Sequence, residues 1–375
     1  MKIIIAPDKF KGSLSSAEVC NCIEKGIKLV DNNIDLYSFP MADGGDGFAD
    51  VMQRYTKTEM IQCLTVDPLD RPLNSSYLWN DITKTAIVEM ATASGLVLLK
   101  AAERNPMKTS SYGTGLLIKD AIGKGAKKII LGIGGSATND AGTGILSALG
   151  FVFTDDTDKA ISASGEKLLL IQKIIPPAIV PSVQFEIACD VDNVLYGPQG
   201  AAYIYAPQKG ATQQQVELLD KGLRHFSEIT IIQTNKNIAG IKGAGAAGGI
   251  AAGMLAFLQA ELKQGTQIVI DASNIKKALA NTDLIITGEG KIDTQSKDGK
   301  LVSNITVMAK QHNIPVIGLC ASLQLSEPEI KELGLENAYS FMNESMSLDY
   351  AMKNAADLLC NQTISILTSF LEKNK

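Results

Sequence analysis

What most constrains this chain is a pattern found at both of its ends: a short apolar run, a glycine-bearing loop that carries acids or lysines, and then a helical stretch. Lys2 to Ala6 reads as a buried strand, and Ser15-Ser16-Ala17-Glu18 is a capping box opening a helix with Val19, Ile23, Ile27 and Val30 on one face. Leu36 to Pro40 reads as the next strand, followed by the loop Met41 to Gly47 and a helix through Met52. Toward the other end, Asp283 to Thr287, Pro315 to Cys320 and Ala338 to Phe341 read as strands, with helices around Ser303 to Gln311 and from about Leu348. Such alternation predicts a parallel sheet.

Length sets how many sheets are needed. The chain has 375 residues, 45% of them apolar, and a single core stops growing near ~250–300 residues. Between the end blocks, Ala86 to Met90, Lys128 to Ile133, Phe151 to Thr154, Phe185 to Cys189, Ala202 to Ala206 and Gln267 to Ile270 read as further strands, less regularly spaced among helices. The expected fold is therefore α/β with two domains. One is a Rossmann- or flavodoxin-like parallel-sheet domain made from both chain ends, residues 1–64 with 283–375; the other is an α/β domain inserted at 65–282. An active-site cleft is expected between them.

Several function classes are excluded at this level. Thirty-five Lys and Arg against forty Asp and Glu give a net charge of -5 without a long run of one sign, which argues against nucleic-acid and membrane partners. The run Ile3 to Ala6 ends at Pro7 and Asp8 and is too short for a signal-peptide core, so a cytoplasmic location is expected. The uncharged stretch Gly243 to Ala260 is long enough for a membrane but carries five glycines among alanines, and reads as a loop entering a buried helix. No Walker-A sequence and no kinase-type His-Arg-Asp occurs. The only histidines, His225 and His312, sit in structural contexts, so a proton acceptor should be a carboxylate.

Four loops combine glycine with charge after apolar runs, where parallel sheets build their sites. In Ala6-Pro7-Asp8-Lys9-Phe10-Lys11-Gly12, Lys9 and Lys11 precede a helix N-terminus, and ammonium and free N–H groups together attract phosphate or carboxylate; the plain alternative is a pair of solvated surface charges. In Asp43-Gly44-Gly45-Asp46-Gly47 two carboxylates suit a hydrated Mg2+, which takes one or two of them and leaves the rest to phosphate and water; the alternative is an Asx turn. Gly132, Gly134 and Ala137, with Asp155 and Asp156 about 20 residues on, match a loose dinucleotide pattern, while Gly134 to Asp140 equally suits a phosphate cradle of backbone N–H groups. Thr287-Gly288-Glu289-Gly290-Lys291-Ile292-Asp293 offers a place for a nucleotide or its metal, or is a tight turn. Cys189-Asp190-Val191-Asp192-Asn193 and Ser110-Ser111-Tyr112-Gly113, taken alone, read as turns or caps.

Together, and in this order, the 6–12, 41–47, 134–140, 189–193 and 287–293 motifs resemble those of bacterial glycerate kinases that use no Walker motif, nearly end to end. The resemblance implies ATP-dependent phosphorylation of D-glycerate to 2-phosphoglycerate, with Mg2+, in organic-acid catabolism. Under it, Asp190 is the expected base, and Lys9 and Lys11 are catalytic groups that meet anions. Asp8, Arg71, Ser111, Tyr112, Asp192 and Asn193 are expected on the substrate. Gly134, Gly135, Ser136, Asn139, Asp140, Thr287, Gly288, Glu289 and Gly290 are expected on the nucleotide, and Asp43, Asp46 and Asp293 on the metal. Val194 departs from the pattern, which leads one to expect proline there; this affects loop stiffness rather than chemistry. The partner is a small acid, with homo-oligomerisation left open. Two other readings remain: an NAD(P)-dependent oxidoreductase resting on the third loop, and a two-domain binding protein that closes on a small acid.

Overall fold

The computed structural model describes residues 1–297, 300–343 and 345–373. They form two compact units, one joining Met1–Asp43 to Thr266–Lys375 and the other spanning Gly44–Gly265. In chain order the strands are β1 Lys2–Pro7, β2 Asp35–Ser38, β3 Glu59–Val66, β4 Pro72–Asn80, β5 Thr85–Glu89, β6 Lys128–Gly132 and β7 Val152–Thr154. They continue with β8 Lys173–Ile175, β9 Gln184–Ala188, β10 Glu261–Lys263, β11 Leu284–Ile292, β12 Val316–Leu323 and β13 Asn337–Ser340.

The first unit holds an all-parallel sheet ordered β2-β1-β11-β12-β13. Numbered within the unit this is 2-1-3-4-5, the flavodoxin-type order, whose winding reverses between β1 and β11; ligands in such sheets bind beyond the carboxyl ends at that reversal. Ile3, Ile4 and Ile5 are fully buried, as befits a central strand covered on both faces. The helix Ser16–Val30 starts at the expected capping box: the Glu18 N–H donates to Ser15 Oγ at 3.3 Å and the Ser15 N–H to the Glu18 carboxylate at 2.8 Å. Its Val19, Ile23 and Ile27 join Ile3, Ile5 and Leu359 in one core. Gly26 lets the C-terminal helix Ala355–Lys373 approach, since a Cβ there would lie 2.8 Å from the Cys360 carbonyl oxygen.

The second unit holds a six-stranded sheet ordered β10-β9-β6-β5-β4-β3, parallel from β10 to β5 and antiparallel at its β4 and β3 edge. A separate hairpin pairs β7 with β8. Trp79, Val88, Leu131, Ile187, Phe226 and Ile250 belong to one large core in it.

The sequence-based domain limits at 64 and 282 lie inside these units. β3 pairs along its whole length with β4, which places residues 44–64 with the inserted unit. Two expected strands are helical: Ala202 to Ala206 lies on the helix Ala201–Tyr205 and its C-cap Ala206, and Gln267 to Ile270 within Gly265–Ser273. Runs of four or five residues cannot separate the two periods, and packing decides: Thr266, Val269, Ile270 and Ser273 are buried, a helical spacing. Gly243 to Ala260 enters the buried helix Ala246–Phe257 as expected, with Ala247, Gly248 and Gly249 at positive φ. Among the described residues no helix is long and apolar enough to cross a membrane.

Candidate active site

In the first unit the winding reversal is lined by acids around one lysine. Asp8 follows β1, and its N–H donates to the Gly288 carbonyl of β11 at 2.8 Å. The Lys9 N–H donates to Asp8 Oδ1 at 2.7 Å, and its Nζ donates to Asp43 Oδ1 at 3.1 Å while standing 4.0 Å from Asp8 Oδ1. Glu289 lies one residue past Gly288 and accepts the Ser296 hydroxyl at 2.7 Å. Burial pushes the Asp8 carboxyl up to about 8, the Asp43 charge adding to this and Lys9 opposing it. Burial likewise raises Glu289, against the Ser296 hydroxyl. The three carboxylates influence one another without converging: among the described residues no group of three or more His, Cys, Asp or Glu side chains is placed to hold a metal.

The other expected residues of this unit divide by role. Lys11 is exposed, on a loop lying over the end of β11, where a Cβ on Gly290 would be 3.6 Å from the Lys11 nitrogen. The buried Thr287 hydroxyl donates to the Ala6 carbonyl at 2.8 Å, tying β11 to β1. Gly288 is required by packing, since its Cβ would sit 2.0 Å from the Leu319 carbonyl oxygen. Asp293 pairs with Lys291 at 2.8 Å.

In the second unit the loop after β6 is pressed against the rest of the Asp43–Gly47 segment. A Cβ on Gly134 would fall 2.3 Å from Gly45 Cα, and one on Gly135, whose φ is +69°, 2.0 Å from Asp46 Oδ1. The Gly134 N–H donates to the Gly44 carbonyl at 3.2 Å. Glu89, at the end of β5, accepts the N–H groups of Gly47 and Ala49, each at 3.0 Å, and so fixes the start of the helix Phe48–Tyr55. Farther along the loop, Asp140 accepts from the N–H and the hydroxyl of Ser111, each at 2.8 Å, and from the N–H groups of Gly142 and Gly144, each at 3.2 Å. Burial raises its pKa against those bonds. Asp140 and Ser111 therefore lock the loop's shape.

Between the glycines and that lock lie polar atoms with nothing to bind. Both amide atoms of the fully buried Asn139, the Thr138 hydroxyl and Asp46 Oδ1 lack hydrogen-bond partners. Buried polar groups are nearly always paired, so such a cluster marks where a ligand or water belongs. Lys209, which nothing in the sequence singled out, donates to the Ser136 hydroxyl at 2.7 Å and the Thr138 carbonyl at 2.6 Å.

The remaining expected substrate residues are engaged within the unit. Asp190, just past β9, accepts the Gly265 N–H at 2.8 Å. Asp192 pairs with Lys242 at 3.0 Å, and Asn193 donates to the Gln199 carbonyl at 2.9 Å and accepts the Tyr205 hydroxyl. The Arg71 guanidinium is taken up by Asp67 at 2.5 Å and Glu103 at 2.7 Å, which makes it a clip between two turns. Tyr112 opens the helix Tyr112–Gly123 and lines a cavity of about 410 Å3 with Asp70, Ser110, Phe151 and Phe153.

The profile of the glycerate kinase family matches residues 3–371. The chain belongs to the glycerate kinase family. Relatives include a glycerate kinase of Halalkalibacterium halodurans, 40% identical over 98% of both chains. The glycerate 2-kinase of Escherichia coli K12 is 39% identical, covering 98% of this chain and 97% of its own. A Salmonella typhimurium LT2 crystal structure assigned to glycerate kinase 2 superposes with a TM-score of 0.83 at 36% identity, covering 100% of this chain and 99% of the other. As a member of a glycerate kinase family the protein is an enzyme, a phosphotransferase with an alcohol acceptor. The nicotinamide alternative finds no support among these relatives.

Proposed function

We propose that this kinase transfers the γ-phosphoryl group of ATP to the secondary hydroxyl of D-glycerate, giving 2-phosphoglycerate, in the cytoplasm as a step of organic-acid catabolism. The observation that carries the reading is the Gly134–Asp140 loop at the end of β6. It offers side-chain-free backbone against Gly45 and Asp46, beside buried Asn139 and Thr138 atoms that lack partners. Glycines that admit close approach, N–H groups and uncommitted amide and hydroxyl groups are what phosphate oxygens require.

Glycerate is an anion and needs a cation. Lys9, partly buried between Asp8 at 4.0 Å and Asp43 at 3.1 Å, is the favoured group, with Lys11 at the loop's surface as its second; Arg71 is held more tightly, by Asp67 at 2.5 Å and Glu103 at 2.7 Å. Asp190 is the base for the attacking hydroxyl in this reading, while Ser111, Asp192 and Asn193 shape loops. The unpartnered Oδ1 of Asp46 is the hard anionic oxygen that Mg2+ prefers. Asp46 would hold the ion, its other positions left to phosphate and water, while Asp43 and Asp293 are paired with Lys9 and Lys291 within the first unit. An ion held there would supply positive charge against the negative charge developing on the transferred phosphoryl group.

The test is an ADP-release assay with Mg2+ and ATP across three-carbon hydroxy-acids, followed by proton-coupled phosphorus NMR of the product. The expected result is saturable release with D-glycerate and a phosphoester doublet from the single carbinol proton. A triplet, from the primary alcohol, or no ADP release would refute the assignment.

A further inference from the structure

A buried ammonium group is unfavourable unless paired, and even a paired one is often bettered by an apolar side chain of similar size. Lys209 is such a group, 2% exposed in the short turn Pro207–Lys209 after the helix Ala201–Tyr205. Its amine is committed to the glycine-rich loop, reaching the Ser136 hydroxyl and the Thr138 carbonyl, with the Asp140 charge acting on it. The turn is fixed independently of those bonds. Gly210 follows at φ +95°, where a Cβ would lie 2.3 Å from the Arg104 carbonyl oxygen. The loop is gripped elsewhere too: a Cβ on Gly248 would sit 2.2 Å from the Thr138 carbonyl oxygen, and the Ala141 N–H donates to the Gly248 carbonyl at 3.0 Å. The residues that Lys209 holds are thus next to those whose polar atoms are left open, Asn139 and the Thr138 hydroxyl.

We propose that Lys209 is the positioning residue of the phosphate-binding loop, fixing residues 136–138 so that the loop N–H groups and the Asn139 amide meet the ATP phosphates while the lysine itself touches only the loop. The proposal rests on reading that loop as the ATP site. Its consequence is selective: releasing the loop alters the handling of ATP and leaves that of the acid alone.

The full-length enzyme and its Lys209→Met, Ser136→Ala and Asn139→Asp variants are compared at fixed Mg2+ for kcat, for KM toward ATP and toward glycerate, and for thermal unfolding. Lys209→Met lowers kcat/KM for ATP on the order of 10²-fold through a higher KM, with KM for glycerate within about twofold. Ser136→Ala, which removes one of the two bonds, shifts the same ratio less, and it decides the matter if Lys209→Met does not fold. Should Asn139→Asp raise the KM for ATP while Lys209→Met and Ser136→Ala leave it unchanged, the loop binds phosphate without help from Lys209 and the proposal is overturned. Should none of the three change it, the loop is not the phosphate site and the proposal falls together with the reading beneath it.

Discussion

The two units present polar chemistry in contrasting ways. At the ends of β1 and β11 the first unit crowds ionisable side chains, with Asp8, Asp43 and Glu289 acting on one another beside Lys9. At the end of β6 the second unit strips side chains away, leaving Gly134 and Gly135 against Gly45 and Asp46, while two of its buried charges, Asp140 and Lys209, hold the loop in shape. The contrast suggests a division of labour. Charged side chains suit a small hydroxylated acid whose charge must be matched. Backbone dipoles suit a polyanion, which fixed carboxylates would repel.

The largest expected effect concerns proton transfer. Asp190→Asn should lower kcat on the order of 10²–10⁴-fold with KM for ATP unchanged, read from steady-state kinetics. Near-normal turnover would contradict Asp190 as the base and sharpen the division by moving proton transfer to the acids of the first unit. Next come paired variants, one per unit. Lys9→Met should raise KM for glycerate on the order of 10- to 100-fold, as loss of a charge-assisted bond. Gly135→Ala, whose Cβ meets Asp46 Oδ1, should act on KM for ATP instead. If both move the same constant, the two sites are not separate in function.

How much of this was legible in the sequence depends on the range of the interactions. The Ser15–Glu18 capping box and the fully apolar Ile3 to Ile5 are local signals, and both elements form where expected. The glycine loops were visible as strand ends because composition alone marks them. Lys209 was not, since the residue that gives it meaning, Ser136, lies 73 positions away. Glu89, 42 positions from Gly47, escaped for the same reason. β3 and β4 went unread because an antiparallel edge, in which Thr65 alone of β3 is buried, lacks the continuous apolar run that announced β1.

Stability separates the units further. Truncation of Ile4, fully buried in β1, to Ala should cost about 2–5 kcal/mol of stability, measured by denaturant unfolding; a change near zero would contradict β1 as an interior strand packed on both faces. The smallest effect is a slope. Burial pushes the Lys209 amine down to about 7, with Asp140 opposing, below its ordinary ~10.4. Between those values the unfolded chain binds a proton that the folded chain lacks, so this group's contribution to stability rises as pH increases from about 7 to about 10. The stability difference between wild type and Lys209→Met should therefore shift toward wild type at alkaline pH; a difference independent of pH would contradict a buried amine of lowered basicity.

The central claim, that the side-chain-free loop of the second unit takes the phosphates, is tested most directly by amide hydrogen exchange of the full-length protein with and without Mg2+ and ATP. The account predicts slowed exchange concentrated in Gly44–Gly47 and Gly134–Asn139. Nucleotide-dependent protection elsewhere in the chain, with those two segments exchanging as in the free enzyme, would contradict it.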